Sequence, residues 1–174
     1  MPRLVLVRHA KSDYPWGVSD HDRPLNDRGR RDAPEIGRWL DGHASWPEDQ
    51  PTVVVVSTAR RAQLTWGLAT TRLSPRWAAV PVEDEARIYE APASALLDVV
   101  GERAAWASTV VLVGHNPGLC DLTRLLAAPS DLRDTATAKF PTSAVCVLES
   151  ERPLAEALRH GGGFSVSEFA IPRG

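Results

Sequence analysis

The apolar residues of the chain gather into short unbroken runs, and three of these runs end on groups that can do chemistry. Leu4-Val5-Leu6-Val7 stops at Arg8-His9, Val53-Val54-Val55-Val56 at Ser57-Thr58, and Thr109-Val110-Val111-Leu112-Val113 at Gly114-His115. Four or five aliphatic residues without polar alternation predict a strand covered on both faces, as in the middle of a parallel sheet. Helical spacing fills the intervals. Between Thr58 and about Leu73, the residues Ala62, Trp66, Ala69 and Leu73 recur at four, three and four, which is one helix face. Ser57 or Thr58 is the natural cap, and Arg60 and Arg61 then fall in the first turn. Leu25 with Asn26 or Asp27 opens an earlier helix running through Ile36 and Leu40, in which Pro34 either kinks the helix or marks its true first turn. Pro92 suits the first turn of a later helix that buries Leu96, Leu97, Val99 and Val100, and Gly118 leads into another with Leu119, Leu122, Leu125 and Leu126.

Weaker signals fill in the rest. Residues 79–82 read as a short third strand, the acidic triplet Glu83-Asp84-Glu85 as a solvated charge run, and Pro47 to Pro51 as a turn. Residues 12–24 are too broken by Pro, Gly and Asp for regular structure and predict a long loop, a candidate wall for a crevice, with Asp22-Arg23 as a possible local ion pair. Residues 144–148 and 163–169 read as two strands separated by a charged segment without a long helix, so an antiparallel edge hairpin is the simplest arrangement. The whole predicts an α/β fold: a three-layer αβα sandwich with a mostly parallel central sheet and an antiparallel edge hairpin. Residues 1–174 are expected to form one domain. Parallel strands joined by helices place Arg8-His9, Ser57 through Arg61 and His115 on one edge of the sheet, where ligands bind in open α/β folds.

Composition narrows the partners. A formal net charge of −2 offers no general field for nucleic acid or a membrane surface, so affinity for an anion must be local. Cys120 and Cys146 lie in apolar sequence without paired spacing and read as core residues of a reduced, cytoplasmic protein. No apolar run approaches a membrane span, and no metal or cofactor is indicated. Two imidazoles and paired guanidinium groups at one edge repel one another unless an anion joins them, and phosphate is the natural candidate.

Arg8-His9-Ala10 resembles the Arg-His-Gly signature of the histidine phosphatase superfamily, also called phosphoglycerate mutase-like. Ser57-Thr58-Ala59-Arg60-Arg61-Ala62-Gln63-Leu64-Thr65 is similar to its second motif, with Arg61 and Thr65 on the fixed positions, and Gly114-His115-Asn116-Pro117 to its last. The short length, with Asp22-Arg23-Pro24-Leu25 and Ile88-Tyr89-Glu90-Ala91, resembles the SixA-type phosphohistidine phosphatases. The resemblance implies a metal-independent phosphatase in which His9 becomes phosphorylated, Arg8 and Arg61 hold the phosphoryl oxygens, and a charged His115 donates to them. Glu90 is the candidate proton donor, and Ser12 or Asn116 could add a hydrogen bond. Ala10 in place of the signature glycine is expected to restrict the turn and add a methyl near the phosphate. The implied substrate is protein phosphohistidine. The alternatives are a small phosphorylated molecule, handled by a phosphomonoesterase or mutase, and a non-catalytic phosphate-binding module. A mutase also needs a basic cluster for a second phosphorylated group, and none is visible in the sequence.

Overall fold

The computed structural model describes residues 1–42, 50–159 and 161–174; of the turn expected between Pro47 and Pro51, residues 47–49 lie outside them. Six strands, β1 (Arg3–Arg8), β2 (Thr52–Ser57), β3 (Val82–Glu85), β4 (Thr109–Gly114), β5 (Val145–Glu149) and β6 (Ser165–Ala170), form one sheet in the order β3-β2-β4-β1-β5-β6. The β3-β2, β2-β4 and β4-β1 pairs are parallel, and β1-β5 and β5-β6 are antiparallel. The three unbroken apolar runs thus occupy adjacent central strands.

Period-two alternation divides their side chains between two cores. Val5, Val7, Val54, Val56, Val111 and Val113 face Ile36 and Leu40 of α1 (Asp27–Gly42) and Ala62 and Trp66 of α2 (Arg60–Ala69). Leu4, Leu6, Val53, Val55, Val110 and Leu112 face α3 (Ala93–Arg103) and α4 (Gly118–Leu126). Helices therefore cover both faces of the sheet. Each fully buried valine or leucine contributes about 1.5–3 kcal/mol of transfer free energy, which is why these runs specify the sheet's centre.

Several local expectations change. The third strand begins after Pro81, not at 79: residues Pro75–Ala79 form a 3-10 turn, and Pro81 has no N–H with which to extend a strand. Glu83, Asp84 and Glu85 belong to that edge strand instead of a solvated run. Glu83 and Glu85 point to one face and pair with Arg103 at 3.0 and 3.2 Å, while Asp84 on the other accepts from Gln63. The second helix stops at Ala69 because the Thr70 and Thr71 hydroxyls bond the Gly67 and Leu68 carbonyls at 2.7 Å, and a 3-10 turn, Thr70–Arg72, follows. Its N-cap is Ala59, without a side-chain cap. In α1, Asn26 is the cap, its Oδ1 accepting from Gly29 N at 2.9 Å, and Pro34 lies inside the helix. The chain between β4 and β6 also holds α5 (Asp131–Ala138) and the one-turn α6 (Leu154–Ala157). No helix among the described residues is long and apolar enough to cross a membrane.

Candidate active site

The parallel register sets Arg8 of β1 beside Gly114 of β4, and β2 ends next to them at Ser57. The turn leaving β1 is clamped from three sides. His9 N donates to the Gly114 carbonyl at 3.1 Å, Ser143 N donates to both the Arg8 and His9 carbonyls at 3.2 Å, and Ala10 N donates to Thr65 Oγ1 at 2.9 Å. Thr65 Oγ1 in turn donates to the Arg61 carbonyl at 2.6 Å, tying α2 to the turn. Ala10 adds no methyl to the pocket: its side chain packs in a small apolar cluster with Leu25 and Ala33.

Two constraints fix the His9 tautomer. Arg61 Nε, always a donor, points at His9 Nε2 at 3.3 Å, so Nε2 carries a lone pair. His9 Nδ1 lies 2.7 Å from the Ala10 carbonyl and must carry the proton. Burial, with the neighbouring His115 ring competing for a proton and the positive fields of Arg61 and Arg8, pushes the His9 pKa down to about 3 against the opposing pull of the Ala10 carbonyl, so the ring is neutral near pH 7.

His115 stands with its ring centroid 5.0 Å from that of His9. Its Nε2 is 2.8 Å from Ser57 Oγ, which also accepts from Ala59 N at 3.3 Å. We assign the Ser57 hydroxyl proton to His115 Nε2, which puts the ring proton on Nδ1, a buried atom without another partner. Burial first, and Arg61 second, lower the His115 pKa to about 3. The expected charged His115 is therefore corrected: in the unliganded pocket it is a neutral imidazole with one N–H to give.

Of the two adjacent arginines, Arg61 is buried and Arg60 exposed. Arg61 Nη1 and Nη2 bond the Asp20 carbonyl at 2.6 Å and Asp20 Oδ2 at 3.1 Å, so the anion offsetting a cation in the first helical turn is a protein carboxylate. Asp20 also accepts from Tyr89 Oη at 2.8 Å and Arg23 Nη1 at 2.7 Å; bonded first by Arg23, its pKa falls to about 2. The partner of Arg23 is thus Asp20 and not Asp22, because a turn bonding Arg23 N to the Asp20 carbonyl brings positions three apart together. Tyr89 also sets its ring edge-on to His115, centroids 5.7 Å apart. None of this web around Asp20 was anticipated from sequence.

Arg8 Nη1 donates to the Phe140 carbonyl at 2.7 Å, and Asn116 Nδ2 donates to the same oxygen at 2.8 Å. The Asn116 amide is therefore committed to a backbone carbonyl, and Ser12 Oγ to Arg23 Nη2 at 2.5 Å. These bonds tie both side chains to the walls of the site, while the Ser12 hydroxyl, an acceptor there, keeps its own proton and the Asn116 amide a second N–H. Glu90 is exposed, at φ 51° directly after Tyr89, and has no hydrogen bond to the two histidines. Where α4 meets this loop, a side chain on Gly118 would put its Cβ 2.3 Å from the Ala91 carbonyl, so only glycine lets them touch. Among the described residues no group of three or more His, Cys, Asp or Glu could hold a metal ion.

A model of the histidine phosphatase superfamily (branch 1) matches residues 4–96. An uncharacterized protein of Mycobacterium tuberculosis is 38% identical over 172 residues, covering 96% of this chain and all of that one. Among solved structures, the SixA phosphohistidine phosphatase assignment of Nakamurella multipartitia superposes with a TM-score of 0.81 at 30% identity, over 98% of this chain and 96% of that one. The protein histidine phosphatase SixA complexed with tungstate matches with a TM-score of 0.75 over 98% and 97% of the two chains; at 18% identity that likeness concerns the fold alone.

Proposed function

The chain belongs to the histidine phosphatase superfamily (branch 1), with the fold of the SixA type, and from that premise we propose a phosphatase that works through a phosphohistidine on His9. The observation that carries this reading is the His9 Nε2 lone pair, fixed by the Ala10 carbonyl on one side and the Arg61 Nε–H on the other, with His115 at 5.0 Å. The lone pair forms an N–P bond as the bond from phosphorus to the leaving atom breaks; the leaving atom departs with that electron pair and takes a proton. Water then attacks phosphorus, gives one proton back to the group that protonated the leaving atom, and Nε2 leaves with the N–P pair, returning neutral His9, the reprotonated donor and inorganic phosphate. Arg8, Arg61 and His115 Nδ1–H hold the phosphoryl oxygens, where fixed positive groups stabilise charge spread over them in a loose transition state.

Glu90 is the leaving-group donor in this scheme. A departing imidazole nitrogen takes up a proton readily, so phosphohistidine depends on Glu90 less than an alkyl phosphate does. That asymmetry, and loops rather than an inserted domain around the pocket, favour protein phosphohistidine as the substrate. Incubation with a labelled phosphodonor is expected to give an acid-labile, base-stable adduct on the wild type and none on His9→Ala. Labelling that survived the substitution would remove His9 as the nucleophile.

A further inference from the structure

Beside the His9 pocket runs an open groove of about 660 Å³, lined by Arg8, Lys11, Asn116, Arg124, Lys139 and the Phe140 segment among others. Four of its twelve lining residues are cationic and none is a carboxylate, in a chain where acids outnumber bases by 22 to 20. Its cations come from three separate places: Arg8 from the end of β1 with Lys11 from the turn that follows, Arg124 from α4, and Lys139 from the end of α5. Arg124 is half-compensated by Asp121 at 3.0 Å, while Lys11 and Lys139 form no ion pair among the described residues. Lys139 also complements the C-terminal end of α5, which accounts for one cation there but not for Lys11 or for the absence of acids.

Arg8 connects the two spaces. Its Nη1 is held by the Phe140 carbonyl that lines the groove, its Nε is buried without a partner, and its chain neighbour is His9. Resting on the phosphatase reading above, we propose that this groove is a subsite for a second anionic group of the substrate, a carboxylate or phosphate carried on the same molecule as the transferred phosphoryl. A substrate that seats its phosphoryl group at His9 passes Arg8 and lays its second anion between Lys11 and Lys139. Four cations dispersed along the sequence are brought to one groove by the fold.

The test compares binding of an alkylphosphonate with that of α,ω-alkanebisphosphonates of increasing length, using calorimetry on the whole chain. For the wild type, one length is expected to bind about tenfold tighter than its monophosphonate, well beyond the twofold statistical gain from having two ends. In Lys11→Ala/Lys139→Ala the gain falls to about twofold, and the exposed single change Lys139→Ala falls between. High salt shrinks the wild-type gain. No gain in the wild type, or an undiminished gain in the double variant, would overturn the subsite. The monophosphonate reports the His9 pocket by itself: a protein that held it without any bisphosphonate gain would keep the pocket and lose the groove, whereas one that held neither would lose both. A second arm locates the anion. If phosphohistidine peptides with a flanking Asp are turned over about tenfold better than their Asn counterparts, the second group belongs to a protein; a preference limited to small bis-anions assigns it to a metabolite.

Discussion

The floor of the pocket and its rim are built by different means. His9, Arg8 and His115 lie at or next to the ends of adjacent strands, so their separation follows from the sheet register that pairs Arg8 with Gly114. Asp20 and the Phe140 carbonyl reach in from loops, bonding Arg61 from 41 residues away and Arg8 from 132. The floor is as stiff as the sheet, while the rim rests on individual hydrogen bonds that solvent can contest. In the proposed mechanism the reacting groups sit on the former and the steering groups on the latter, the division expected when loops are mounted on a rigid scaffold.

Acid should take the two apart in sequence, and this is the largest effect expected. Both floor histidines have native pKa values of about 3 against about 6.5 when unfolded. Below pH 6.5 the unfolded chain binds protons that the native floor refuses, so stability falls as pH drops, by up to about 1.4 kcal/mol per unit for each histidine. Urea midpoints between pH 7 and 4.5 should decline by an amount equivalent to about 2–5 kcal/mol. The rim carboxylate behaves otherwise: Asp20, held at about 2, loses its contribution only as pH falls below its unfolded value near 4. A midpoint that stayed flat to pH 4.5 would show that the floor histidines are not buried neutral.

Ser57→Ala probes the floor at one atom. The change leaves His115 Nε2 buried without a partner and frees the ring to put its proton on either nitrogen, so the population offering Nδ1–H to phosphate falls. A loss of about tenfold in kcat is expected, with KM little changed. A change in KM alone would mean that Ser57 packs but does not orient.

The same contrast decides what can be read from the chain. Strands β1, β2 and β4 were legible because an unbroken aliphatic run fits nowhere but the covered centre of a sheet. The edge strand β3 was not: its three acids look like solvent-facing charge until Arg103 and Gln63 arrive from elsewhere to bind them. Helix α5 escaped notice because its Asp-Leu-Arg-Asp-Thr-Ala-Thr-Ala sequence buries little beyond Ala136 and Thr137, although Ser130, which caps it, was a readable signal. In the site, His9 and His115 stand inside short contiguous motifs. Asp20 is one of three aspartates in a loop without periodicity, and a backbone carbonyl such as that of Phe140 has no sequence signature. The groove's cations are dispersed between positions 8 and 139, so only the fold reveals them as one cluster.

The smallest expected effect is at Asp20, and it tests whether the rim competes with substrate or prepares the floor for it. The Asp20 carboxylate and carbonyl take both terminal nitrogens of Arg61, leaving Nε on His9. An incoming phosphoryl group must share that guanidinium with a negative charge already present. In Asp20→Asn the carbonyl contact remains and the charge is gone, so inorganic phosphate should inhibit about threefold more tightly, the scale of a partly exposed ion pair. Tyr89 and Arg23 lose a charged acceptor in the same change, which loosens the loop and should lower kcat by a similar factor. The opposite result, weaker phosphate inhibition, would mean that the main work of the Asp20 charge is to hold the Arg61 fork in position, and the rim would then belong mechanically to the floor.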